Sequence, residues 1–187
     1  MTAERHAPFI DLYIEVTKAI TASLDLDEVF TLITEKIPDV IGVEAATIRL
    51  LDASGRNLVL KASHGLSREY LDRGTIDTEQ PVFKALKGEP IVIEDAGNDP
   101  RVKNPEATKK EGIRTILVVP IPIHGKISGI LRLLTKQPRS YSREEIGFVA
   151  ALCEQCGIAI ENARTFKETQ AQLNYFKTIH QIGKEIN

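Results

Sequence analysis

The sequence predicts an α+β fold in which an antiparallel sheet carries long helices across one side. Three observations lead there. Two β-branched apolar runs, Ile116–Ile123 and Ile127–Leu134, are separated only by His124-Gly125-Lys126, so the chain reverses in a tight hairpin whose glycine takes positive φ without steric cost. Pro138 then breaks the strand pattern, and Ser142-Arg143-Glu144-Glu145 reads as a capping box, serine and glutamate satisfying free N–H groups at a helix start. Beyond it Ile146, Val149, Leu152, Cys153, Cys156, Ile160 and Ala163 recur at spacings of mostly three and four, which is a helix with one buried stripe. A hairpin feeding a helix that packs back over it is the core of an α+β domain.

The other elements follow in chain order. Phe9, Leu12, Tyr13, Val16, Ala19 and Ile20 predict a one-faced helix from Phe9 to Ala22. Asp25-Leu26-Asp27-Glu28 caps a second, with Val29, Leu32, Ile33, Ile37 and Ile41 inward and Gly42 stopping it. Strands at Ala45–Leu51 and Leu58–Ser63 are joined by Asp52-Ala53-Ser54-Gly55-Arg56, residues that tolerate turn dihedrals. Residues 65 to 89 read as a short helix at Ser67–Leu71, a short strand at Thr75–Asp77 and a helix at Pro81–Leu86. A short strand at Pro90–Glu94 precedes a loop at Ala96–Lys103, and Asn104-Pro105-Glu106 starts a short helix because asparagine caps and proline fits a first turn.

Composition narrows the class without naming a role. A chain of 187 residues, 42% of them hydrophobic, can build one compact domain with flanking helices. A net charge of −2 supplies no attraction for nucleic acid or an anionic membrane face, so neither is expected as a partner. The longest apolar runs are strand-length, and MTAERHAPFIDL lacks the apolar stretch of a signal peptide. Two cysteines three positions apart make no secreted disulfide framework. A cytoplasmic protein is expected.

The run VVPIPIHGKISGILRLLTKQPRSYSREEIGFVAALCEQCGIAIENA resembles the C-terminal half of a GAF domain, a small-molecule sensor and dimerisation module. AATIRLLD, ASHGLSREYL, GEPIVIEDAGNDPRV and KKEGIRTILVVP fit the same family in order and spacing, so the resemblance spans roughly residues 10 to 166. It implies a PAS-related, six-stranded antiparallel sheet, with the N- and C-terminal helices on one face. Loops and short helices of residues 65 to 115 would close a pocket over the other. The division it suggests is an N-terminal helix over 1–23, the GAF domain over 24–166 and a helical extension over 167–187.

Loops over a rigid sheet usually carry the site. Alternation points Ala46, Ile48 and Leu50 one way and Thr47 and Arg49 the other; in the last strand Gly129, Leu131 and Leu133 oppose Ser128, Ile130 and Arg132. If these strands are neighbours, as in the family, Arg49 and Arg132 share a face with Thr47 and Ser128. Two guanidiniums there favour an anionic ligand through bidentate bonds to carboxylate or phosphate. Tyr70 completes the candidate ligand-binding set. Two other readings stay open: an arginine neutralised by Glu94 or Asp95, or reaching water along its stem. A cavity filled by Tyr70, Phe83 or Leu117 would favour scaffolding over sensing.

The remaining constellations argue against chemistry. Cys153 and Cys156 lie on the apolar side of a predicted helix, away from the N-terminal position a low-pKa thiolate uses, so they read as core or interface filling. The branch of the family that reduces free methionine sulfoxide keeps its cysteines around the pocket, and this pair does not match. His6, His64, His124 and His180 lack second ligands at metal spacing, so no metal is expected. His64 ends a strand near the presumed pocket mouth and reads as a surface residue rather than a haem ligand. Neither cysteine is placed to attach a bilin. Of the cyclic-nucleotide signature only Lys136 fits; Thr135, Tyr141 and Glu145-Ile146 depart from it. The cofactor is left unassigned, and no catalytic residue is expected.

After Arg164 a tail of 23 residues remains, too short for a catalytic effector. Phe166, Leu173, Phe176 and Ile179 continue the apolar spacing within it. One helix from Ser142 to about Glu185 would be about 65 Å long at 1.5 Å per residue, overhanging the domain with an exposed stripe that a partner helix would cover. The sequence reading is therefore a non-catalytic sensor working as a homodimer through its terminal helices, upon a histidine kinase or a cyclic-nucleotide-signalling effector. A ligand-free dimerisation module is the alternative, and a methionine sulfoxide reductase type the distant third.

Overall fold

The computed structural model describes residues 3–23, 25–72, 76–77, 83 and 87–185. Helices α1 (Ala3–Ala22) and α2 (Leu26–Ile41) lead into strands β1 (Ala45–Leu51) and β2 (Asn57–His64), the one-turn α3 (Arg68–Leu71), β3 (Ile76–Asp77) and β4 (Ile91–Ile93). Then come α4 (Pro105–Glu111), β5 (Thr115–Ile123), β6 (Lys126–Thr135) and α5 (Arg143–Glu185). The strands form one sheet in the order β3-β2-β1-β6-β5-β4, antiparallel throughout. Its body is five strands; β3 adds a two-residue edge opposite Asn57 and Leu58.

Local chemistry explains most boundaries. Asp25 Oδ1 accepts from Asp27 N at 2.9 Å to start α2, and Gly42 at φ 76° ends it in the left-handed region. The β5–β6 hairpin turns on His124 and Gly125, both at positive φ, between the paired Ile123 and Lys126. At α5 the capping box closes reciprocally: Glu145 N donates to Ser142 Oγ at 3.1 Å, and Ser142 N to Glu145 Oε2 at 2.7 Å. Arg139 then ties two helices together. Its Nη1 donates to Gly42 O and its Nη2 to Ile41 O and Glu145 Oε1, each at 2.6 Å, which sets a cation at the carbonyl end of α2.

Two apolar cores lie on opposite faces. On one side Leu12 and Val16 of α1, Phe30 and Ile33 of α2, and Val149, Leu152, Cys153 and Cys156 of α5 meet Ala46, Ile48, Leu131 and Leu133. On the other, Tyr70, Ile93, Ala96 and Ile113 pack with Leu58, Ile116, Val118, Ile130 and Leu134. The terminal helices thus share one face, and irregular segments cover the other.

Several expectations need correction. Helix α1 begins at Ala3 rather than Phe9, ahead of the apolar repeat that would signal it. Leu117 belongs to the helix-side core; since Ile116 and Val118 face the other way, Leu117 cannot fill a cavity there. The helix expected at Pro81–Leu86 lies outside the described residues except Phe83. Helix α5 is long and apolar enough over Arg143–Ile179 to cross a membrane, but Val149, Leu152, Cys153 and Cys156 in it are core residues.

The approach of α5 to the sheet is tightest at Gly157, where an added Cβ would stand 2.1 Å from Pro122 O. In an open helix, Gly→Ala stabilises by about 1 kcal/mol. Here Gly157→Ala is expected to destabilise by about 1–3 kcal/mol, because backbone must shift to admit the methyl. Urea unfolding measures the sign; a stabilised variant would contradict the close packing.

Candidate functional site

The site is built by β-sheet register. Arg132 of β6 stands opposite Thr47 of β1 and Val118 of β5, with Ile130 and Leu134 before and after it on the same face. Arg49 pairs with Ile130, one same-face position from Thr47. The sequence-predicted neighbours are therefore brought together. They are also deeply covered: Arg49 is 6%, Arg132 7% and Thr47 1% exposed.

Their bonding differs. Arg49 Nη1 donates to Leu58 O at 3.3 Å. Arg132 makes no side-chain hydrogen bond or ion pair with the described residues, and Thr47 Oγ1 finds no partner among them. The two acids suggested by the sequence do not reach Arg132. Asp95 Oδ2 instead accepts from Asn98 Nδ2 at 2.8 Å, and Glu94 is exposed. The nearby Asp99 is taken by Arg101, whose hydrogen bonds hold its carboxyl below the usual range. A guanidinium does not give up its proton. Burying one without a counter-charge costs several kcal/mol, on the order set by removing a partner from a buried pair.

Other candidates sit apart. Tyr70, on α3, is buried in the same irregular-side cluster, and Phe83 packs against it. Helix α3 is latched to α4 by Glu111, whose carboxylate accepts from Ser67 N and Ser67 Oγ; between the two helices lies a groove of about 250 Å³ lined partly by Tyr70. Ser128 is not in the buried group. The β5–β6 register steps from Ile121↔Gly129 to Pro122↔Ile127, making Ser128 the extra residue of a bulge, about 14 Å along the strand from Arg132 at 3.4 Å per residue. Sequence reasoning missed Val118 as the second cross-strand neighbour of Arg132; the alternation in β5 held that signal, but the register did not show in the sequence.

The remaining groups are placed elsewhere. Cys153 and Cys156 are free, buried and on the helix side, the face opposite Arg132. His124 Nε2 lies 2.8 Å from Glu161 Oε1, pinning the hairpin tip to α5. Among the described residues no cluster of three or more His, Cys, Asp or Glu could hold a metal. Along α5 every residue from Arg164 to Ile179 is exposed, a projection of about 24 Å. The candidate dimer residues Phe166, Leu173, Phe176 and Ile179 are between 47% and 68% exposed.

The GAF-domain family model matches residues 25–160. Among solved structures, the GAF domain of a phosphoenolpyruvate-protein phosphotransferase from Coxiella burnetii superposes with a TM-score of 0.74 at 21% identity, covering 87% of this chain and 98% of that one. Residues 122 to 287 of a methyl-accepting chemotaxis protein give 0.66 at 20% identity, covering 81% and 98%. A free methionine-R-sulfoxide reductase from Neisseria meningitidis, in complex with its substrate, gives 0.69 at 16% identity, covering 84% and 90%. These likenesses establish the fold, which a reductase and a chemotaxis protein share.

Burial pushes the Cys156 thiol up to about 12 and the Cys153 thiol well above its ordinary value. At pH 8 neither thiol of the folded protein should react with a disulfide reagent, while both react in denaturant, where thiols ionise near about 8.5. The sign for stability follows: with the folded pKa raised, the contribution is complete below about 8.5 and is lost as pH rises toward the folded values. Rapid native-state labelling would contradict the burial.

Proposed function

This chain belongs to the GAF-domain family, and we propose that it is the non-catalytic, cytoplasmic sensor domain of a signal-transduction system. It takes a small anionic ligand on the irregular side of the sheet, with Arg49, Arg132, Thr47 and Tyr70 around it, and relays occupancy through a homodimer of terminal helices. The observation that carries the reading is Arg132, buried with no counter-charge among the described residues. A site that retains such a cost is suited to an anion that offsets it. The effector in this reading is a histidine kinase or a cyclic-nucleotide-signalling protein. With a net charge of −2, neither nucleic acid nor membrane enters as a partner. The domain proper is 24–166, between a helix over 1–23 and an extension over 167–187.

A second reading, a ligand-free dimerisation module, draws on the exposed stripe of α5, which needs a partner helix whether or not a ligand binds. An enzyme of the methionine sulfoxide type is a distant third: the fold likeness favours it, the placement of Cys153 and Cys156 in the helix-side core opposes it. A thermal-shift screen of metabolites, nucleotides and haem separates these readings, since a ligand selective for the folded state raises its stability. For the relay, light scattering on residues 1–187 is expected to give a dimer and on residues 1–166 a smaller mass. Equal masses would remove Phe166, Leu173, Phe176 and Ile179 from the role of coupling element.

A further inference from the structure

We infer that the ligand received at Arg132 is a small monocarboxylate with an apolar body, its carboxylate gripped by the Arg132 guanidinium and the Thr47 hydroxyl. This rests on the sensor reading above and specifies the chemical class that the reading leaves open. The donor set decides the charge. Arg132 and Thr47 face each other across one β-pair, both more than nine-tenths buried and both without a hydrogen-bond partner among the described residues. A planar guanidinium offers two parallel N–H groups to two oxygens, and a hydroxyl adds a third donor to one of them. Arg49 brings a second buried guanidinium to this face but already has partners; the unpartnered charge at Arg132 calls for one negative charge. A phosphate dianion would bring a second charge and more acceptor sites, and Arg49 Nη1 is already donating to Leu58 O.

The surround decides the rest of the molecule. Next to Arg132 on the sheet stand Val118, Ile130 and Leu134, all buried, and Tyr70 belongs to the same apolar cluster. Apolar surroundings of this kind suit a branched or aromatic carbon body and leave hydroxyl-rich or nucleotide bodies without partners for their polar groups.

The test uses the full chain with isovalerate and phenylacetate as probes, phenylacetamide as neutral isostere, and inorganic phosphate. Titration calorimetry and thermal shift should show at least one acid binding saturably, about tenfold or more tighter than the amide, with no shift from phosphate. Arg132→Met should abolish the acid-induced shift and, without ligand, unfold at a temperature no lower than the unsubstituted chain, since it removes a buried charge lacking a partner. Thr47→Val should weaken acid binding several-fold and leave folding intact. Amide binding equal to acid, phosphate binding lost in Arg132→Met, or no response to either acid overturns the monocarboxylate class; a different metabolite found by screening then keeps the sensor reading alive. An Arg132→Met chain clearly less stable than the unsubstituted one overturns both, because Arg132 would then have a structural counter-charge.

Discussion

The structure depends on the double pairing of β6. Hydrogen-bonded to β1 on one edge and β5 on the other, this strand has no freedom to turn a side chain aside, so each residue goes to one face or the other. Leu131 and Leu133 go to the helices, while Ile130, Arg132 and Leu134 go to the irregular side. An arginine in that row is carried into the interior by the register of its neighbours. The apolar pairs around it supply the folding energy that holds it there.

The same strand leads to the outer helix by a short route. Residues 136–142 connect β6 to α5, and Arg139 in that connection holds the last carbonyls of α2 and the first turn of α5 together. Tyr141 lies beside it, 5.0 Å from ring centre to guanidinium, a cation–π contact that stiffens the junction. Close contact at Gly157 seats α5 against Pro122, and its distal part projects beyond the core.

Fold and function separate in this family. A transferase-linked domain, a chemotaxis protein and a reductase share this architecture with the present chain, so the differences lie in individual side chains. Here those are two buried guanidiniums, Arg49 and Arg132, on one face and two buried, un-ionised thiols on the other. In the first pair Arg132 is a buried charge without a counter-charge among the described residues; the second pair is packing.

The local chemistry of the chain is legible in its sequence. The span of β1, the cap at Asp25, the stop at Gly42, the hairpin at His124-Gly125 and the box at Ser142–Glu145 each depend on a few adjacent residues, and each formed as the sequence implies. Alternation also placed Thr47, Arg49 and Arg132 on one face, because a strand of period two leaves no other choice. What tertiary structure decided was non-local: the face of Leu117, the bulge that takes Ser128 out of the row, the carbonyls that Arg139 finds almost a hundred positions away, and the acids that fail to meet Arg132. Register between strands and pairing between distant charges arise only when the whole sheet closes, since each is a sum over contacts that no single stretch of the chain contains.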